Sequence, residues 1–143
     1  MQYDRMLAEL FQEEDRARAM ATNLMTIAKT SRTAAAAEKD SLVAFLRGPM
    51  ERHMAYEERA IFPHLDRHGL SAEVQVAEKH HAAIREDAER LSSAAPGDDV
   101  SALVFEIARR MLHHTNFEAA YIYPELTHDD WRGLMKQTLE QTP

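Results

Sequence analysis

The chain has 143 residues, 45% hydrophobic and 29% charged, with a formal net charge of −7. That length supports a single domain with a real core, while 4 Gly and 5 Pro leave little turn material for an all-β fold. Zero Cys excludes disulfides, thiolate metal sites and Cys nucleophiles, and the acidic balance argues against nucleic acid as a partner.

Hydrophobic spacing predicts helix nearly throughout. The first helix, about residues 2 to 29, carries Leu7, Leu10, Ala17, Ala21, Leu24 and Ala28 at steps of three and four, with a turn at 30–33. The second, about 34 to 66, runs through Leu42, Leu46, Met50 and Ile61 to a turn at His68 and Gly69. Gly48 and Pro49 fall inside it, and a proline there predicts a kink. Ser71 is the predicted N-cap of the third helix, which carries Val74, Ala77, Ile84, Ala88 and Leu91 on one side. Residues 92–99 form the clearest loop. A fourth helix, about 99 to 125, shows Leu103, Ile107, Met111, Tyr121 and Ile122. A short amphipathic fifth helix, about 129 to 140 with Trp131, Leu134 and Leu139, is expected to lie across one end or to mediate a homodimer. The expected fold is all-α, an up-down-up-down four-helix bundle with a short C-terminal fifth helix. No apolar run approaches the ~20 residues of a membrane span, and residues 1–5 show no secretory pattern, so the expectation is a cytoplasmic protein without a membrane partner.

Two stretches repeat at an offset of 61 residues: His53-x3-Glu57-x3-Ile61-Phe62-Pro63-x-Leu65 and His114-x3-Glu118-x3-Ile122-Tyr123-Pro124-x-Leu126. Composition gives about 0.03 chance matches to the His, Glu and Pro of this pattern in the whole chain, so two are not an accident. Packing explains the apolar tail but not the His and Glu. Residues i and i+4 are neighbours on a helix, so His53 projects with Glu57 and His114 with Glu118. Each pair lies on an apolar stripe, one through Leu46, Met50 and Ile61, the other through Leu103, Ile107 and Tyr121. Ionised Glu on a buried stripe needs compensating charge, which in a bundle core is usually a divalent metal; otherwise the pairs are buried ion pairs or lie on a solvated face. On the third helix His81 shares the stripe of Val74, Ala77 and Ile84, whereas His80 sits at its rim, toward Val76 and Asp87. The same test leaves His113 exposed beside Glu106, Arg109 and Arg110. His64, His68 and His128 read as solvated.

The pattern of His-x3-Glu, a helix-three His and a second His-x3-Glu resembles the hemerythrin-like (HHE cation-binding) family over about residues 5 to 126. The resemblance implies a non-haem di-iron centre, two ions open to an oxo or hydroxo bridge, with zinc or manganese as other candidates. It implies Glu57 and Glu118 as bridging ligands and His53, His81 and His114 as terminal ones. The family's helix-one His is missing. Glu14 fills that slot on the stripe of Leu10, Ala17 and Ala21, with Glu13 the alternative. A further His that some members carry on helix three is replaced by Ala77 or Arg85. Such an oxygen-rich donor set disfavours reversible dioxygen carriage and favours oxidation or tight ferric binding.

Three functions follow as expectations. The first is a di-iron protein that binds or senses dioxygen, nitric oxide or peroxide, with Tyr56, Phe117 and Tyr121 near the ligands by spacing. The second is an oxidoreductase or peroxidase acting on a small substrate. The third is a metal-free or zinc-bearing interaction bundle acting through the Trp131 helix.

Overall fold

A computed structural model describes residues 2–126, 130 and 133, with side chains from residue 11 onward. Among them every regular element is helical. The elements are α1 (Gln2–Thr30), α2 (Arg32–Ala37), α3 (Lys39–Arg47), α4 (Pro49–Tyr56), a π-helical turn (Glu57–Ile61), α5 (Phe62–Arg67), α6 (Ser71–Ser92), α7 (Ser101–Tyr121) and a 3-10 turn (Tyr123–Glu125). The predicted fifth helix lies outside the described residues, as do His128 and Trp131. No helix among the described residues is long and apolar enough to cross a membrane.

The predicted second helix is segmented, and each break has a local cause. Ser31 ends α1 and caps α2, its hydroxyl accepting the Ala34 N–H at 3.1 Å. Gly48 donates its N–H to the Ala44 carbonyl at 2.9 Å, and a Cβ on Gly48 would meet that same oxygen at 2.9 Å. Pro49 then takes the first turn of α4, where its missing donor costs nothing. The kink expected there is present. A second proline effect was not expected: Pro63 cannot donate a backbone hydrogen bond, and the turn before it is π, with the Phe62 N–H reaching back to the Glu57 carbonyl. Gly69, at φ +86°, makes the left-handed turn into α6.

Ser71 is not the N-cap. The Leu70 N–H closes onto the Leu65 carbonyl at 3.0 Å, which puts Leu70 in the cap position, and the Ser71 hydroxyl bonds the Asp66 carboxylate instead. Tyr121 leaves the predicted stripe. It ends α7 with 57% of its surface exposed, while Ile122 and Tyr123 turn inward in its place. Asp87, expected beside His80 at the rim, is buried and paired with Arg110 at 2.6 Å.

The helices close on one another: α1 packs along α7, α7 against α6, α6 against α3, and α4 returns to α1. The apolar interior falls into two clusters. One contains Ala17, Leu46, Met50, Met54, Ile84, Ile107 and Met111; the other contains Ile61, Phe62, Leu65, Val74, Ala77 and Ile122. Along α4, α6 and α7 the change from one cluster to the other occurs at the same level, and the residues at that level are polar.

Candidate metal centre

That polar level holds Glu14 from α1, His53 from α4, Glu57 from the π turn, His81 from α6, and His114 and Glu118 from α7. Glu14 and His53 are 3% and 7% exposed, and the other four no more than 1%. Their donor atoms form two groups, Glu14–His53–Glu57–Glu118 and Glu57–His81–His114–Glu118, each with all donors within 4.8 Å of one another. Glu57 and Glu118 belong to both. Glu57 faces both ways: Oε1 lies 3.1 Å from His81 Nε2, and Oε2 lies 3.5 Å from His53 Nε2. All six residues singled out in the sequence therefore meet at one place. Glu13, the alternative to Glu14, is partly exposed and contacts the outer nitrogen of His53 at 3.2 Å.

Each imidazole is held from behind. His81 donates from Nδ1 to Glu58 at 2.6 Å, and Glu58 is gripped by Arg85 through two bonds of 2.8 and 3.0 Å. His53 Nδ1 faces Glu13. His114 Nδ1 lies 3.0 Å from His80 Nδ1. In all three rings the outer nitrogen is engaged and Nε2 points inward, the orientation in which Nε2 could serve as a metal ligand. His80 is therefore half-buried against the centre rather than at a solvated rim, and its ring also meets exposed His113 at 5.2 Å. His64 is likewise not free in solvent, lying 3.3 Å from Asp130.

The electrostatics are those of a crowded anionic pocket. Burial opposes protonation of His53, but Glu57, Glu13 and Glu14 overcome it and push its pKa up to about 12. Burial pushes His114 down to about 3. Burial alone would raise Glu57, yet contact with Glu118 and with the His53 and His81 rings holds it well below the usual carboxylate range. Glu118 goes the opposite way, raised by burial and by the neighbouring Glu57 and Glu14 carboxylates. Two acids share a dry site and only one ionises.

Among the described residues, four buried side-chain atoms have no hydrogen-bond partner: Glu14 Oε2, His114 Nε2 and both oxygens of Glu118. His114 Nε2 lies 3.1 Å from Glu118 Oε1, but without hydrogen-bond geometry. Orphaned buried polar atoms cost about 1–3 kcal/mol each. Here they belong to the two donor groups, Glu14 to one, His114 to the other and Glu118 to both, and cations in those groups would give them partners. The residues present fit a metal.

The sequence reading missed three participants. Tyr123 places its hydroxyl 2.7 Å from Glu57 Oε2, 2.8 Å from Glu14 Oε1 and 3.0 Å from His53 Nε2. Spacing places Tyr56, Phe117 and Tyr121 near the ligands, but it is Tyr123 whose hydroxyl lies within 3.0 Å of Glu14, His53 and Glu57. Its signal was available: Tyr123 is the repeat equivalent of Phe62, and at that position the two halves differ by one hydroxyl. Glu58 and His80 each follow or precede a site residue by one position, and nothing in the spacing marks them. A cavity of about 20 Å³ adjoins Glu14, His53, His114 and Glu118, walled by Ala17, Phe45, Pro49 and Met50.

A helical bundle with a buried carboxylate and imidazole layer of this kind is a cation-binding protein. The family model described as hemerythrin HHE cation binding domain matches residues 5–126, and the chain belongs to that family. Comparison with curated proteins and with solved structures gave no match.

Proposed function

We propose that this protein is an up-down-up-down four-helix bundle holding two iron ions, and that the pair binds dioxygen, nitric oxide or peroxide as a sensor, scavenger or store. The observation that carries the reading is the double donor group with two shared carboxylates. One four-donor group would serve a single ion, whereas two groups with Glu57 and Glu118 in common match two ions bridged by those residues. Glu14 and His53 complete one ion's ligands, and His81 and His114 the other's. A bound iron pair supplies redox electrons and an open coordination position. The chain's part is to hold three carboxylates and three inward-facing imidazoles, and to keep water out with the apolar clusters on either side. The adjoining cavity of about 20 Å³ has room for a water-sized molecule, which suits a small ligand. Three carboxylates among six donors favour the ferric state, so reversible dioxygen carriage is not the proposed role.

Metal analysis of protein purified without added metal tests this. About two equivalents of iron per chain are expected, following the di-metal precedent of carboxylate bundles. Glu57→Ala and His114→Ala should each abolish loading, while His113→Ala should not. Loading near zero with thermal stability unchanged by chelator would overturn the reading and leave an interaction bundle. Catalytic consumption of peroxide with the iron retained would move the protein to the oxidoreductases.

A further inference from the structure

The two donor groups are not equivalent, and the difference is a phenol. The 61-residue repeat pairs Phe62 with Tyr123. Phe62 stacks its ring on His81 at 5.2 Å between centroids and offers no donor atom. Tyr123 is 7% exposed and aims its hydroxyl into the other group, within 3.0 Å of Glu14, His53 and Glu57 at once. One hydroxyl proton cannot serve all of these contacts. The spacing instead fits an octahedral ion: donors at about 2.1 Å from a common centre and at right angles lie about 3.0 Å apart. The separations between His53 Nε2, Glu14 Oε1, Glu57 Oε2 and the Tyr123 oxygen run from 2.7 to 3.5 Å where measured.

We propose that Tyr123 is a metal ligand, a phenolate donor to the ion held by Glu14 and His53, and that the ion held by His81 and His114 has no phenolate. The inference rests on the di-iron reading above. On ligation the phenol O–H bond breaks, the oxygen lone pair forms the bond to the cation, and the proton leaves to water; no electron is transferred. Burial and the surrounding carboxylates favour the neutral phenol in the metal-free protein. A cation in the pocket reverses that preference, because it becomes the largest local charge. Ferric iron accepts tyrosinate as a ligand in other proteins. The exposed edge of Phe11, 5.7 Å from the Tyr123 ring, covers the phenol from outside.

The test is optical and needs no turnover. The full-length chain is loaded with iron, oxidised to the ferric state and assayed for iron content on the same sample. A visible phenolate-to-iron(III) charge-transfer band, with resonance-enhanced tyrosinate ring vibrations, is expected. Tyr123→Phe, which installs the residue that the repeat itself carries at Phe62, should lose both. The sequence has four tyrosines, so the triple variant Tyr3→Phe, Tyr56→Phe, Tyr121→Phe retains Tyr123 alone and should keep the band. That arm stands even if Tyr123→Phe does not fold. Iron near two per chain without the band, a band that survives Tyr123→Phe, or a band lost in the triple variant overturns the assignment while leaving the di-iron reading intact. Iron near zero overturns both.

Discussion

Replacing Glu118 by Leu should make the metal-free protein more stable and the metal-loaded protein less so. Both Glu118 oxygens are buried without a hydrogen-bond partner, and burial beside Glu57 and Glu14 keeps the carboxyl protonated. An unsatisfied buried polar group costs about 1–3 kcal/mol, whereas an apolar side chain of similar volume at such a place is neutral or stabilising. Leu is also a good helix former, so the last turn of α7 accepts it. The expected gain without metal is therefore about 1–3 kcal/mol, a rise in Tm of roughly 3–10 °C for a domain of this size. With metal the order changes. Iron at about 100 times its Kd adds about 2.7 kcal/mol to the wild type. The variant gains none of this, because Glu118 belongs to both donor groups. Thermal melts in chelator and in ferrous iron under anaerobic conditions measure both quantities. A variant that melts below the wild type in chelator, or that gains as much from iron, would refute the argument that this layer is retained for the cation.

Metal loading should also release protons. His53, with a pKa of about 12, is protonated at neutral pH in the metal-free state, burial favours the protonated forms of Glu118 and Tyr123, and each of the three must lose a proton to ligate. About three protons released means affinity rising roughly 1000-fold per pH unit near neutrality, the sign being tighter at higher pH. Calorimetry in buffers of different ionisation enthalpy reads the number, and a pH-independent affinity would contradict it. His80→Ala and Glu58→Gln each remove the group behind an inward-facing imidazole and should weaken metal affinity by about 10–100-fold with helicity unchanged. His113→Ala, on the exposed side of His80, should leave affinity unchanged. Hydrogen exchange in chelator should be faster in α5 and the last turn of α7 than around Ile107 and Met111, and iron should slow it. Uniform exchange at both ends, unaltered by iron, would show that the polar layer does not divide the core.

How much the sequence discloses depends on whether the information lies along one helix or between helices. His53 with Glu57, and His114 with Glu118, are legible because i,i+4 spacing puts each pair on one face whatever the rest of the fold does. His81 and Glu14 follow from the same phase argument on their own stripes. Tyr123, Glu58 and His80 are not legible in that way. Tyr123 sits past the end of α7, where the 3-10 turn resets the phase, so helical periodicity places exposed Tyr121 where Tyr123 belongs. Glu58 faces Arg85 and His81 only because the chain passes through a π turn ahead of Pro63. His80 is one position off its stripe, yet α6 and α7 pack closely enough for it to reach His114. The helix breaks divide similarly: the Gly48 and Pro49 kink is a local property, but the cap at Leu70 depends on which group the Ser71 hydroxyl finds.

The position of the polar layer explains why the core can bear it. Among the described residues the larger apolar cluster joins α1, α3, α4, α6 and α7, while the smaller one, around Phe62, Leu65 and Ile122, draws mainly on α5, the start of α6 and the end of α7. The larger cluster links five helices through apolar contacts that include none of the six site residues. The smaller cluster lies beyond six polar side chains whose mutual repulsion and orphaned atoms work against closure. It meets the rest of the core through a layer that a cation draws together and that its absence leaves under tension. Metal binding is then coupled to order at one end of the bundle rather than to folding of the whole. The asymmetry between Phe62 and Tyr123 falls at that same end, where the one phenol among the buried aromatic rings touches three of the six site residues. A change in the metal's charge or ligation therefore acts first on the segment that the larger cluster holds least.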